Sequence, residues 1–462
     1  MINFKKPNLM HFLTASFILM FIVVNSSFAE ENIQYINKSV KVGLNNIKLN
    51  YLVIADSNLY SIETVNSNPL GSVTELKTLV GKKNAIAGIN GTFFDAYNNN
   101  SSKRYPYGVI INDSKIIHGG SNVCFFSDGS NQIGNLNIKI RGAINGSYKW
   151  PNNWNGWSIN HLYNTPYQSV ILDSNFGSIP DDGSTNIIVI NGIVENIQTK
   201  PVKIPKNGYV IHIGNQESTR TRFKIGDAVE YRIEYELNGQ TLSSGTIDFA
   251  LGAGPKLITS GKYDVNYERD GFTEAKIKTM RSSRSFVGIN KNGAVIIGTT
   301  PLASISELAK ALILIGITDA MNLDGGASSG LYYNGKYITK PGRLISNALV
   351  IVKKSKQLAL INVNGSILEQ KGIIKSDRTY VPLRGVFEQL GIEVVWNKES
   401  QSAICKKESK EIIISVGNTP NAEGFMMDSK SYVPLKLITE SFGYKCFWDD
   451  KLNQVTISDN MQ

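Results

Sequence analysis

The run Asn322-Leu323-Asp324-Gly325-Gly326-Ala327-Ser328-Ser329 constrains the fold more than any other stretch, because it ends an apolar strand in a carboxylate and two glycines. The glycines free the backbone for angles other residues avoid, so successive N–H groups can converge on an anion, and the two serine hydroxyls add donors. A plain tight turn would use the same glycines. Far upstream, Ala87-Gly88-Ile89-Asn90-Gly91-Thr92-Phe93-Phe94-Asp95 has the same grammar, an apolar strand closing on Asn-Gly before aromatics. Between the two lie many short β-type runs, such as Ile187 to Ile190 and Tyr209 to Ile213. One helix is clearly marked. Ser304-Ile305-Ser306-Glu307 forms a capping box before the apolar run Leu308 to Ile315, and Gly316 is its expected stop. Apolar residues almost encircle that helix, so it should be buried against a sheet. The expectation is an α+β fold, a mixed sheet-and-helix unit in which residues 320–323 deliver Asp324 to a sheet edge.

The chain's ends bound its setting. Lys5 and Lys6 precede an apolar run from Phe12 to Val24, and Ser27-Phe28-Ala29 follows, which reads as a signal peptide over 1–29. The rival, an uncleaved anchor, is disfavoured because a bilayer needs roughly twenty apolar residues. A secreted or cell-wall-associated protein is expected, with no transmembrane segment after cleavage. The formal charge of +10 would fall to +8 without Lys5 and Lys6. Spread along the chain, this excess gives no nucleic-acid footprint, which needs clustered Lys and Arg. It suits polyanionic partners such as a phosphorylated glycan or teichoic acid, and solubility would explain it equally well. Three cysteines cannot supply a disulfide framework: Cys124 reads as a buried small hydrophobe, and Cys405 with Cys446 is the one pair that could bridge.

The last hundred residues contain an internal repeat at an offset of 52. Tyr380-Val381-Pro382-Leu383-Arg384 aligns with Tyr432-Val433-Pro434-Leu435-Lys436, Gly391 with Gly443 and Trp396 with Trp448. Each copy reads as strand, helix, strand, with Pro opening the helix and Gly closing it. A small C-terminal α+β domain of two repeats is expected over 356–462, after a charged boundary at Lys353-Lys354-Ser355-Lys356. The repeat resembles the copper amine oxidase N-terminal domain, a stalk-type appendage of secreted bacterial enzymes. Without His or metal-ligand spacing it should bind no metal, and either wall attachment or a purely structural role would account for it.

Residues 30–355 resemble the phosphodiester glycosidase family. The likeness rests on the two strand-exit runs, on Gly252-Ala253-Gly254-Pro255, on Ser283-Arg284-Ser285-Phe286-Val287-Gly288 and on Ile345-Ser346-Asn347-Ala348-Leu349. Three positions depart from the family pattern: Thr92 and Ala327 stand where glycine is usual, and Ser285 where threonine is usual. The resemblance implies a hydrolase that cleaves the anomeric C–O bond of sugar 1-phosphodiesters. The alternatives are a wall-glycan-binding protein that kept the fold without the activity, and an ordinary glycoside hydrolase with a second essential acid.

A phosphate leaving group needs little protonation, since the second pKa of a phosphomonoester is about 6. One carboxylate plus cationic stabilisation could therefore suffice, where ordinary glycosidases use two carboxylates. Asp324 is the expected carboxylate and Arg284 the expected phosphate clamp, because a guanidinium forks onto two oxygens. Lys276 and Lys278 read as solvated loop charges. Asn90, Asn322 and Asn347 are expected to hold sugar hydroxyls, with Phe93 or Phe94 as an apolar face. Gly91, Thr92, Gly325, Gly326, Ser328, Ser329 and Arg343 complete the candidate substrate site. Asp95, Glu268 and Glu274 are the candidates for a second carboxylate. No cofactor is required by this scheme, although an Asp and several Asn could supply hard ligands to a divalent cation such as calcium. His118, His161 and His212 lack paired spacing and read as structural. Pro180-Asp181-Asp182-Gly183 reads as a solvated turn. The stretch Trp150-Pro151-Asn152-Asn153-Trp154-Asn155-Gly156-Trp157 could form a sugar-stacking platform or a loop packed on the core.

Overall fold

The computed structural model describes residues 33–458 except 56–58, 121–122, 178, 238, 243–246, 355–356, 376–377, 418–422 and 428. The expected signal peptide, and the boundary expected at 355–356, lie outside the described residues. Strands make up 51% of the structure and helix 10%, arranged in six sheets among the described residues, so the α+β expectation is corrected to a mostly β protein. The physical reason is local. The capped helix announces itself in neighbouring residues, whereas a strand such as Asn131–Ile144, rich in Asn, Gln, Lys and Arg, is fixed only by the partners it pairs with.

Two sheets frame the centre of the molecule. A seven-stranded sheet contains the strands Asn45–Ile54, Val295–Ala303, Ser282–Asn290 and Ile317–Asn322, and a five-stranded sheet contains Leu331–Tyr333, Ala87–Asn90, Asn347–Lys353 and Tyr60–Asn66. Strand alternation sorts their side chains into layers. Along Asn45–Ile54, Ile47, Leu49 and Tyr51 face the helix Ile305–Leu314, while Leu52 and Ile54 face the core between the sheets. Along Asn347–Lys353, Leu349 and Ile351 enter that shared core, and Ala348 and Val350 pack on the helix Leu76–Lys82. The layers therefore run helix, sheet, sheet, helix. The helix Ile305–Leu314 has the predicted capping box and buries Ile305, Leu308, Ala309, Ala311 and Leu312, although Leu314 is exposed.

In the C-terminal region both repeats form strand, helix, strand: Arg378–Pro382, Leu383–Gln389, Glu393–Asn397, then Lys430–Pro434, Leu435–Phe442, Lys445–Asp449. The first strand of each copy pairs antiparallel with its counterpart, centred on Val381 opposite Val433. One apolar cluster, drawn only from residues 361–457, unites the copies. Cys405 is buried there, and Cys405 and Cys446 are both free thiols, so the candidate bridge does not form. No described helix is long and apolar enough to cross a membrane.

The Trp-rich stretch divides its roles. Trp154 is buried against Phe223 and Tyr231, whereas Trp150 and Trp157 are exposed. Gly142 lies beneath the Trp154 indole so closely that an added Cβ would fall 1.9 Å from Cε2. Gly142→Ala should therefore cost about 1–3 kcal/mol of stability, the range for overpacking, as read by urea unfolding. A change under ~0.5 kcal/mol would show that the indole is not fixed there.

Candidate active site

Two strand exits from the two central sheets meet at Asp324. The strand Ile317–Asn322 delivers it from one sheet, and Ala87–Asn90 ends beside it from the other. The Asp324 N–H donates to the Gly91 carbonyl at 3.0 Å, and Asn90 Nδ2 donates to the Asp324 carbonyl at 2.7 Å. Asn90 Oδ1 accepts from Ser285 Oγ at 2.7 Å and from the Gly330 N–H at 3.0 Å. The Asn90 amide is thus buried and engaged by protein on both its atoms, and it clamps the turn that carries Asp324. It serves the fold here, and not a sugar hydroxyl. Ser285, in place of threonine, keeps the hydroxyl this clamp uses.

Asn347 closes the clamp from the other side. Its carbonyl accepts from the Gly91 N–H at 3.0 Å and its Oδ1 from the Thr92 N–H at 2.8 Å. A Cβ on Gly91 would lie 2.1 Å from that Oδ1, so only glycine fits. Asn322 Nδ2 donates to the carbonyls of Gly254 and Leu323. Four buried atoms of the predicted constellation have no protein partner: Thr92 Oγ1, Asn322 Oδ1, Asn347 Nδ2 and Ser329 Oγ. A buried polar atom left so is costly, and because these atoms are sealed from solvent, enclosed water is the partner they would take.

The glycine turn does not wait for an external anion at its first step. The Gly325 N–H donates to Asp324 Oδ1 at 2.9 Å, and Ser328 hydrogen-bonds the same carboxylate. Gly326 takes φ +60°, and Ala327 has no such need, so its departure from glycine leaves the turn intact. Burial pushes the Asp324 carboxyl up to about 6, against the opposing pull of Ser328, the Gly325 N–H, Arg343 and Lys276.

Arg284 occupies a different place from the one its sequence suggests. It is buried, its Nε donates to the Ala303 carbonyl at 3.2 Å, and its Nη2 donates to the carbonyls of Lys276 and Met280 at 2.9 and 2.6 Å. The fork expected for phosphate is filled by main chain. Burial lowers the Arg284 pKa from the usual guanidinium range. The cations in the field of Asp324 are instead Lys276 and Arg343. Arg343 Nη2 donates to the Tyr97 hydroxyl at 3.2 Å and lies 5.0 Å from its ring, and this bond pulls the exposed Tyr97 phenol below its usual range. Lys276 pairs with Glu274 at 2.7 Å, which raises its pKa. The Tyr107 hydroxyl feels Asp95, Lys276 and Glu274, which brings two of the three candidate second carboxylates to the same rim. Asp95 also accepts from Asn98 Nδ2 at 2.8 Å. Phe94 is buried, and Phe93 is half-buried, 5.8 Å from the ring of Phe272.

Sequence reasoning missed Lys276, Tyr97 and Tyr107. Only Lys276 carried a signal, as one charge of the cluster before Arg284. Lys276 and Arg343 in the field of Asp324 would repel a divalent cation, so the calcium alternative does not fit these residues. His118 Nδ1 bonds the Gly108 carbonyl at 2.8 Å and its Nε2 faces His161 Nδ1 at 3.3 Å, with burial holding the His118 pKa down at about 3. His212 is held between Asn186 and Asp182.

Two expectations follow. The Asp324 pKa of about 6 exceeds an ordinary aspartate's, about 3.9. The folded chain therefore binds this proton more tightly than the unfolded one, and stability falls as pH rises through that window. Relative to parent, Asp324→Asn should gain about 1–2 kcal/mol between pH 4 and pH 7.5, a full shift discounted for partial solvent access. Urea unfolding at both pH values tests this, and a constant difference contradicts it. Arg284→Lys should lose about 2–4 kcal/mol, since one ammonium nitrogen cannot stand in for both Nε and Nη2, which bond carbonyls at different places; retention of full stability would return the guanidinium to solvent or ligand.

Comparison with known proteins finds two families. Residues 184–352 match the phosphodiester glycosidase family, and residues 362–421 match the copper amine oxidase N-terminal domain. The first match contains Arg284, Asp324, Arg343 and Asn347; Asn90 to Phe94 lie before it, and the fold brings them to Asp324. A curated protease inhibitor of Brevibacillus choshinensis is 35% identical over 92 residues, 17% of this chain and 28% of that protein, so the chain spans little more than a quarter of its length. A hypothetical protein from Synechocystis superposes with a TM-score of 0.62 at 21% identity, covering 70% of this chain and 62% of that one. A protein described as exported, from Burkholderia pseudomallei K96243, superposes with a TM-score of 0.56 at 18% identity, covering 66% and 74%. These two likenesses show the shared fold.

Proposed function

From the premise that this chain carries a phosphodiester glycosidase region, we propose that it hydrolyses sugar 1-phosphodiesters at the anomeric C–O bond, with Asp324 as the essential carboxylate. The observation that carries this reading is a carboxylate fixed at the junction of two sheets, with Lys276 and Arg343 in its field. Such a site suits a substrate whose leaving group is already anionic. Above a pKa of about 6 the Asp324 carboxylate is ionised and can accept a proton from water. The water oxygen bonds to C1 as the C1–O bond breaks, and the electron pair leaves with the phosphate. The products are free sugar and a phosphomonoester, and the proton returns to solvent from Asp324.

Lys276 and Arg343 hold the departing phosphate in this scheme. Arg284 acts as a positioning residue: through the carbonyls of Lys276 and Met280 it fixes the segment that carries Lys276. Thr92, Asn322, Asn347 and Ser329 carry unpaired atoms sealed from solvent, so their contact to the sugar would run through enclosed water. The substrate class is a phosphorylated glycan, with a teichoic-acid-like polymer as its wall form. Residues 1–29 would export the chain, residues 30–355 would carry the reaction, and residues 356–462 would hold it to the cell wall.

The test is release of sugar and phosphomonoester from a panel of sugar 1-phosphodiesters. Asp324→Asn should lower kcat by about 10²–10⁴. Lys276→Met and Arg343→Met should each lower kcat/KM by about 10–10³, and the parent's kcat/KM should rise with pH through about 6. Turnover that survives in Asp324→Asn overturns the assignment. Sugar phosphate binding without turnover by the parent would make the chain a binding protein.

A further inference from the structure

The ribbon formed by Asn131–Ile144 and Val229–Leu237 has one face that the catalytic reading leaves unused. Its inward residues, Ile138, Ile140, Ile233 and Tyr235, join the core. Its outward residues are an amide and paired charges: Asn137 lies opposite Glu236, Lys139 bonds Glu236, and Arg141 bonds Glu234 and, at 2.9 Å, Asn155. At one end of this face a cavity of about 280 Å³ is lined by Asn137, Lys139, Glu236, Trp157, Tyr163 and Gly120. Trp157 is 43% exposed and meets Tyr163 edge to face at 5.5 Å.

We infer that this groove binds an uncharged pyranose ring of a glycan. An indole held open beside a second aromatic offers an apolar face to the C–H side of a sugar ring. Lys139 and Glu236 place a donor and an acceptor at the ring's edge, and their charges cancel, which favours neutral hydroxyls over phosphate. The volume lies just below the range of small-molecule pockets, about 300–1,000 Å³, which limits it to a small group such as one ring. None of the groove's lining residues belongs to the Asp324 site, but Gly120 packs against the segment that carries Tyr107. A Cβ on Gly120 would lie 2.1 Å from the Tyr107 carbonyl, while the Tyr107 hydroxyl lies in the field of Lys276 and Glu274 at the catalytic rim.

The choice of saccharide probes rests on the glycan reading of the active site; the binding result stands alone. Calorimetry on the whole Asp324→Asn chain, with chitotriose, cellotriose and maltotriose as neutral probes and glucose 1-phosphate as anionic control, tests the groove. At least one neutral trisaccharide should bind. Trp157→Ala should weaken that binding at least tenfold, Trp157→Phe should stay within threefold, and glucose 1-phosphate affinity should not move. In the parent background, Trp157→Ala should leave turnover of a small sugar 1-phosphodiester unchanged. Binding of no neutral trisaccharide, binding indifferent to Trp157→Ala, or loss of glucose 1-phosphate affinity in that variant would each overturn the proposal. A parent without turnover on every phosphodiester would remove the catalytic reading and leave the groove intact.

Discussion

The amide of Asn90 is the interaction on which the central region depends. It links the exit of one sheet to Ser285 in the other, to the Asp324 carbonyl and to the Gly330 N–H, so four chain segments share one side chain. Each bond alone contributes about 1 kcal/mol, but removing the amide would leave several buried partners unsatisfied at about 1–3 kcal/mol apiece. The clamp is therefore stiff, and stiffness is what the proposed role of Asp324 would require.

That stiffness explains how Asp324 can sit half-buried with its pKa near 6. A carboxylate on a mobile loop would turn toward water and recover its solvation. Held by its own main-chain bonds and by the Gly325 N–H, it cannot do so. The fold accepts a less stable charge at this point, which the proposed reaction would use near neutral pH. Arg284 shows the opposite solution. Its charge is deeper still, yet three carbonyls satisfy it, and what it gains is the position of the chain around Lys276.

The proposed groove beside Trp157 and the proposed site at Asp324 differ in charge. Around Asp324 lie Arg343 and a Lys276 already paired with Glu274, the cations that the proposed scheme gives to a phosphate. Along the outer ribbon, acid and base are paired, which suits hydroxyls. The same alternation lays out both regions, but the central strands give both faces to apolar layers, whereas the outer ribbon leaves one face to polar side chains.

The sequence by itself determined the features whose causes are local. The capped helix Ile305–Leu314, the two C-terminal copies of strand, helix and strand, the strand exits at Asn90 and Asp324, and the buried Cys124 were all legible from neighbouring residues. What needed the tertiary structure was anything set by segments far apart in the chain. The sheets, assembled from strands whose polar residues alone read as loop, make the protein mostly β. Arg284 reads as a free cation until the carbonyls of 276, 280 and 303 close around it, and Asn90 reads as a ligand until Ser285 and Gly330 occupy it. Lys276 and Tyr97 reach Asp324 only through folding. A hydrogen-bonding group's role depends on who meets it first, and for long-range partners only the fold decides that.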